Sequence, residues 1–433
     1  MKNILIFTRD MMPYVSSPGA AVRVLYMTKF LKKKGFNVNL VAAKGNPISY
    51  FGLKEEVDFI KPIYIDDFIQ RWQSRNSQKD LTSIRKKKLF DIKQKIKLFL
   101  KKIVLFFSVP DIGIFSVPKF TIKLYFLINR MKIDTLIISS PPHSNQIVTL
   151  ILKIIFKNKI FIIVDYRDGW NTFKIFQESG LIKKILSQGL EKRLLKLVDF
   201  FVYQSPKVQS DIISLYKFDQ ETFCNKSQLV RNGYTKVPPC KKALINLKED
   251  SCGVDEFLLG YFGGLDFSSE NYRNPIKIFN ELEELNLKIN IAIFGTVWKK
   301  DHCPSFKNIN IKFYGATTLS EAKKYMHDCD GLLCFHADNS GSEVIPGKFY
   351  EYIDSLRPII SFGPRDMECG NIISKYEFGI HIPFNEISSF RSVISSFFLK
   401  KDFNNFIERL NFHRSKFSRQ NQYSRLLKRL EEL

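Results

Sequence analysis

The stretch Ser342-Glu343-Val344-Ile345-Pro346-Gly347-Lys348-Phe349-Tyr350-Glu351-Tyr352-Ile353 decides how this chain is read. Pro346 fits the first position of a helix. Gly347 removes a side chain there, and Lys348 adds a cation. Backbone N–H groups, the positive end of the helix dipole and an ammonium then converge where a diphosphate could sit. Glu351 lies about one turn further in, where a carboxylate could accept hydrogen bonds from two ribose hydroxyls. Glu343 precedes the helix and could face a sugar. The plain alternative is a capped helix with solvated Glu and Lys, which the Pro-Gly-Lys start weakens.

Apolar runs bracket this helix, Gly331–His336 before it and Pro358–Phe362 after it. The same alternation extends in both directions. In the second half the remaining candidate strands are Leu258–Phe262, Ile289–Phe294, Ile309–Tyr314 and Phe378–Ile382. In the first half they are Asn3–Thr8, Asn37–Ala43, Thr135–Ser140, Ile160–Tyr166, Phe200–Ser205 and Gln228–Asn232. Near-continuous apolar strands alternating with helices imply parallel sheets covered on both faces. Two such series predict an α/β chain of two doubly wound domains. The expected division is 1–240, 241–400, and a tail of helices over 401–433, with the last at about Arg419–Leu430.

Ligands of open parallel sheets bind beyond the C-terminal strand ends. The loop after the first strand, with Gly19 and Arg23, leads into a helix N-terminus. It lacks Gly-x-Gly-x-x-Gly, and a plain turn is an equal reading. Ser139-Ser140-Pro141-Pro142-His143-Ser144 closes one strand, and Asp165-Tyr166-Arg167-Asp168-Gly169-Trp170 another. Arg167 and its flanking acids form either a polar site or an ion pair bracing the loop, and His143 reads equally as a core or capping residue. In the second half, Gly263-Gly264 ends a strand and allows close backbone approach to a phosphate, or a simple turn. No Walker A sequence is present.

The 433 residues carry a formal charge of +24. Residues 1–250 hold 44 Lys/Arg against 20 Asp/Glu, residues 251–400 hold 15 against 19, and the tail holds 8 against 4. The excess sits in the first half, so only that half favours an anionic partner. Within it, Arg85–Phe107 sets Leu89, Ile92, Ile96, Phe99, Leu100 and Ile103 between lysines at helical spacing. A basic amphipathic helix of that kind suits an anionic bilayer, and a surface helix with solvated lysines is the plainer reading. No run approaches the ~18 uninterrupted apolar residues of a spanning helix. The N-terminal run is too short for a signal peptide, and seven cysteines without Cys-x-x-Cys suit a reducing compartment. Cys329, Cys334, His336 and Asp338 read as core and strand-end residues rather than a metal site.

Several motifs taken in order make the chain resemble a known family. Glu343 and Glu351 form a Glu-x7-Glu pair. With it come Pro110-Asp111-Ile112-Gly113-Ile114-Phe115, Ser140-Pro141-Pro142-His143, Asp165–Trp170, Arg231-Asn232-Gly233-Tyr234 and Pro346–Tyr352. The set is similar to retaining GT-B glycosyltransferases of family 4, of the bacterial surface-polysaccharide type, and covers nearly the whole chain.

The resemblance implies two Rossmann-like domains facing across a cleft, with the final helices returning to the first. It implies transfer of a sugar from a nucleotide-sugar, UDP favoured and GDP possible, to a glycan or polyprenyl-diphosphate-linked acceptor. The activity would be hexosyl- or N-acetylhexosaminyl-type, with retention of configuration and no metal or cofactor. On the donor side it implies Gly263, Gly264, Arg273, Ala316, Thr317, Val344, Ile345, Pro346, Gly347 and Glu351. Glu343, Lys348, Arg167 and Asp168 are the catalytic expectations, and Gly19, Arg23 and His143 face the acceptor. Many members have an arginine where Gly264 stands, so Arg273 and Lys348 are expected to take over that charge. Phe115 stands where a tryptophan is usual, and Thr235 where an aspartate is usual. The expected place is the cytoplasm, peripheral on the inner membrane face, without nucleic acid as a partner. A basic nucleic-acid binder, or a non-catalytic scaffold of the same fold, is the rival reading.

Overall fold

The computed structural model describes residues 2–15, 19–50, 52–80, 108–173, 180–236, 247, 256–267, 274–285, 287–336, 343–386 and 403–432. The chain divides into two compact units. One is Met1–Val230 with Tyr423–Leu433, and the other is Arg231–Gln422. The change of unit at Val230 falls ten residues before the expected one. Of the tail, only residues from Tyr423 belong to the first unit.

The first unit is built on seven strands: β1 (Asn3–Thr8), β2 (Asn37–Lys44), β3 (Ile63–Asp66), β4 (Thr135–Ser140), β5 (Phe161–Tyr166), β6 (Phe200–Tyr203) and β7 (Ser227–Leu229). Their order is β3-β2-β1-β4-β5-β6-β7, and every pairing is parallel. Period-2 geometry sends alternate side chains to opposite faces. Leu5 and Phe7 join the core under α4 (Val117–Arg130), α5 (Ser144–Phe156) and α6 (Leu181–Leu197). Ile4 and Ile6 join the core under α1 (Gly19–Lys33), which also takes Tyr423, Leu426 and Leu430. Between β2 and α4 lie α2 (Lys54–Ile60) and α3 (Phe68–Asp80). The sequence pattern does not reveal β3, because it is a four-residue edge strand and only Ile65 in it is buried. Together with a short 3₁₀ turn before it, α4 spans Ile112–Arg130, long and apolar enough by composition to cross a membrane. Counting uninterrupted apolar residues does not reveal this. Val117, Phe120, Leu124 and Ile128 of α4 are buried in the core. The basic stripe at 85–107 lies outside the described residues.

The second unit holds β8 (Phe257–Phe262), β10 (Ile289–Phe294), β12 (Ile309–Gly315), β13 (Gly331–Phe335), β14 (Ile359–Gly363) and β15 (Gly379–Pro383). They form a parallel sheet of order β12-β10-β8-β13-β14-β15. A two-stranded ribbon, β9 (Leu265–Asp266) with β11 (Val297–Trp298), extends from the loops after β8 and β10. On one face lies α9 (Ile276–Glu283). The other is covered by α10 (Leu319–Asp328), α11 (Gly347–Asp354) and α12 (Glu368–Tyr376). Two more helices follow, α13 (Phe403–Arg414) and α14 (Arg419–Glu432).

Between β5 and β7 in the first unit come α7 (Pro206–Tyr216) and α8 (Gln220–Asn225), after β6. Both start on side-chain caps, from Ser205 and Asp219.

Candidate functional site

All strands of the second sheet run parallel, so their C-terminal ends open on one edge. There Gly263 follows β8 and Gly295 follows β10. Gly263 has φ +148° and Gly295 φ +135°. A Cβ on Gly295 would stand 2.1 Å from the Gly263 carbonyl oxygen, so the two strand ends meet backbone to backbone. Gly263 N–H donates to the Phe294 carbonyl at 2.7 Å.

Lys348 is brought to this loop. A Cβ on Gly263 would lie 3.3 Å from Lys348 Nζ. The same ammonium sits 3.5 Å from the centre of the Tyr261 ring, a cation–π contact. Tyr261 Oη in turn donates to the Gly264 carbonyl at 3.0 Å. The phenol thus holds the ammonium and the glycine pair together, and sequence reading does not single out Tyr261. Its signal was its place two residues before Gly263, on the same face of the strand.

The helix α11 starts at Gly347, with Pro346 as its N-cap at φ −60° and ψ 140°, one residue earlier than its expected place in the first turn. Among the described residues, a Cβ on Gly347 would meet nothing within 4 Å. Val344 accepts a weak bond from Cys369 Sγ at 3.8 Å, and Ile345 is buried beneath the loop. Glu343 is buried at 4% exposure just before it. Behind the site, Cys334 Sγ and His336 Nε2 are 3.3 Å apart. Burial, aided by Lys348, lowers His336 to a pKa of about 3, and burial raises Cys334 to about 11, so both are neutral.

Glu351 is 7% exposed and sits between two cations. Lys323 Nζ is 3.1 Å from Glu351 Oε2, and Arg419 Nη2 is 3.5 Å from Oε1. Lys323 also pairs with Asp354 and donates to the Thr235 carbonyl at 2.6 Å. Nothing in the spacing of the sequence announces either cation, because Lys323 lies on α10 and Arg419 at the start of α14. Ala316 and Thr317 follow β12, Ala316 exposed. Thr317 Oγ1 donates to Glu321 at 2.9 Å, inside the capping box that starts α10. Arg273 lies outside the described residues.

The motif Arg231-Asn232-Gly233-Tyr234 has a structural part. Gly233, at φ +67°, leaves room for no side chain, since a Cβ would fall 2.7 Å from the Phe417 carbonyl. Tyr234 N–H donates to that carbonyl, and Arg419 N–H donates to Tyr234 O. Arg231 is ion-paired with Glu368 at 2.5 Å.

In the first unit the loops after β1, β4, β5 and β6 gather at the corresponding edge. Arg167 joins three of them. It donates to the Pro141 carbonyl, lies 3.4 Å from Asp10 Oδ2, and its N–H donates to Ser140 O. Asp168 accepts from Gln204 Nε2 at 3.4 Å. Burial raises the pKa of Asp168 and of Asp10, and Arg167 opposes it in both. Asp10 and Gln204 therefore belong to the cluster, and only their strand-end positions hint at it.

His143 is buried, stacked on Trp170 at 5.5 Å and edge-on to Tyr166. Burial, with Arg167 beside it, lowers its pKa to about 3, so its imidazole is neutral. Asp111 reaches the start of α5, accepting from Ser144 N at 2.8 Å and from Gly113 N at 2.8 Å. Gly19 is exposed at the first position of α1.

Arg23 has a structural partner. It was expected to face an acceptor, yet it is 1% exposed and makes a bidentate pair with Asp165, with Nη2 to Oδ1 at 2.6 Å. Ser139 Oγ donates to the same carboxylate at 2.8 Å. The physical reason is that a carboxylate inside a parallel sheet edge needs a partner, and the guanidinium fork fits it. Of the two expected carboxylates around Arg167, Asp165 is thus the bracing one.

No protein-family model matches the chain, and no curated protein matches it. Solved structures do. Sucrose-phosphate synthase from Thermosynechococcus elongatus is 12% identical with a TM-score of 0.63, covering 100% of this chain and 99% of that one. Anabaena HepE in complex with UDP-glucose is 10% identical with a TM-score of 0.61, covering 100% of both. A UDP-GlcNAc 2-epimerase from Neisseria meningitidis, bound to UDP-GlcNAc, is 10% identical with a TM-score of 0.52, again over 100% of both. At such identities the likeness speaks of the fold and leaves the reaction open. The chain carries two Rossmann-like parallel-sheet units of the GT-B type.

Proposed function

We propose that this protein is a retaining, family 4-like glycosyltransferase. It moves a hexosyl or N-acetylhexosaminyl group from a nucleotide-sugar, UDP favoured over GDP, to a glycan or polyprenyl-diphosphate-linked acceptor of a bacterial surface polysaccharide. The observation that carries this is the Lys348 ammonium beside the Gly263 loop, at the start of α11. Cation, helix N-terminus and side-chain-free strand ends are what a leaving diphosphate needs. In this reading the second unit binds the donor and the first binds the acceptor.

Charge grows on the diphosphate as the glycosidic bond to it breaks. Lys348 and the α11 N–H groups stabilise that charge, in place of a metal. Each tenfold in rate corresponds to about 1.4 kcal/mol of such stabilisation. Glu351, oriented by Lys323 and Arg419, accepts from the ribose hydroxyls. Glu343 takes the sugar hydroxyls. Arg167 and Asp168 face the reacting end of the acceptor, and the incoming hydroxyl attacks the face the diphosphate leaves. The excess of positive charge in residues 1–250 draws the protein to the inner face of the cytoplasmic membrane, where a lipid-linked acceptor lies.

The test is turnover of UDP- and GDP-sugars with a polyprenyl-diphosphate-linked acceptor. Lys348→Ala and Glu351→Ala are expected to abolish nucleoside diphosphate release while the fold survives. Near-normal turnover in both would sink the donor-site assignment. Epimerised nucleotide-sugar formed without acceptor would favour the other chemistry known on this fold.

A further inference from the structure

A surface helix normally turns its apolar stripe inward and its polar side outward. The first three turns of α6, Leu181 to Glu191, do the reverse. They bury Ser187 and Glu191. Glu191 accepts from Asn171 N and Nδ2 and from Tyr216 Oη. To solvent they turn Leu181, Ile182, Ile185 and Leu186, with Leu181 73% and Ile182 68% exposed.

The neighbouring helices continue this surface. On α4, Ile122 and Phe126 are exposed, Phe126 at 63%, and on α5 so are Ile154 and Ile155. The three helices lie side by side on one face of the first sheet, α5 between the others. The Tyr125 and Phe156 rings, 5.4 Å apart, join α4 to α5. Exposed apolar side chains that continue across neighbouring helices mark an interaction surface.

The charges around them have one sign. The three helices carry nine Lys or Arg and a single acid, Glu191, which is buried. Lys119, Lys123, Arg130, Lys184, Arg193 and Lys196 are exposed among the apolar side chains. A second copy of the same face would bring like charges together, which disfavours self-association there. Apolar side chains between long cationic ones, without acids, match an anionic lipid surface: the apolar groups enter the interface while the ammonium groups reach the phosphates.

We propose that the outward face of α4, α5 and α6 is a docking surface for an anionic bilayer. It is made of other residues than the basic stripe at 85–107. It deepens the membrane part of the proposed function and does not depend on the donor chemistry.

The experiment is flotation of the full chain with vesicles of equimolar phosphatidylglycerol and phosphatidylcholine, against vesicles of phosphatidylcholine alone. A variant with Leu181→Ser, Ile182→Ser, Ile185→Ser and Leu186→Ser is expected to bind the anionic vesicles roughly tenfold or more weakly, from lost apolar burial. Its thermal midpoint and its response to nucleotide should stay those of the parent. If that variant does not fold, Lys119→Glu, Lys123→Glu and Lys184→Glu, all at exposed positions, carry the test with the same expectation. Parent-like binding by the folded variants overturns the proposal. So does equal binding of the parent to neutral vesicles, absence of binding, or a change of oligomeric state in the variant instead of a change of binding. Lys348→Ala should float like the parent, so failure of the transferase reading and failure of this surface give different results.

Discussion

Arg23 and Asp165 face each other at 1% exposure, and each is the other's main charge partner. Taking away one side of a buried pair leaves the other uncompensated, at a cost of about 3–5 kcal/mol. Arg23→Met should therefore destabilise the first unit by about that much, read from urea unfolding; a midpoint equal to the parent's would mean the pair contributes little. His143 gives a pH test. Its folded pKa of about 3 lies below the ordinary 6.5, so below pH 6.5 the unfolded chain binds a proton that the folded one refuses. Stability from this group is full above pH 6.5 and falls as pH drops toward about 3. His143→Gln should flatten the slope of stability between pH 6.5 and 5, with Arg167, Tyr166 and Trp170 unchanged around it. His336 leaves a residual slope of the same sign, while the raised Asp10, Asp168 and Glu191 act with the opposite sign. At this scale Lys348 and the Gly263 loop were legible because both sit at ends of strong local patterns. Tyr261, Lys323 and Arg419 were not, since a side chain that positions another across the fold leaves no mark on its own neighbours in sequence.

Elements differ in what their glycines do. Gly295→Ala would set a methyl 2.1 Å from the Gly263 carbonyl at a φ of +135°. The strand ends must then part, and nucleotide-induced thermal stabilisation is expected to vanish along with some stability. Gly347→Ala meets nothing within 4 Å among the described residues, and alanine favours a helix over glycine by about 0.5–1 kcal/mol. That variant should be as stable as the parent or more so, yet respond less to nucleotide, because the methyl occupies the ground before the α11 N-terminus. Loss of stability without loss of the nucleotide response in Gly347→Ala would remove the phosphate assignment. Most strands were legible as apolar runs. β3, β9 and β11 were not, being two to four residues long and set at edges, where neither continuous burial nor alternation has room to show.

For the whole molecule, the right nucleotide should stand out in a thermal-shift panel of UDP, GDP, CMP and TDP. A ligand that binds only the folded state at a hundred times its Kd stabilises by about 2.7 kcal/mol. A response to UDP or GDP that Glu351→Ala removes would agree with the donor reading, and no response to any of the four would count against it.

The sequence by itself determined the α/β class, the two parallel sheets, the strand ends that carry polar loops, and the uneven charge. These are short-range properties: hydrophobic period, glycine and proline placement, and sums over segments. Only the tertiary structure decided that Arg23 is a brace, that Glu351 sits between Lys323 and Arg419, and that α6 shows its apolar side to solvent. Each of those depends on which residues, up to 142 positions apart in the case of Arg23 and Asp165, are packed together. A linear pattern carries no record of which face of a helix the rest of the chain will cover.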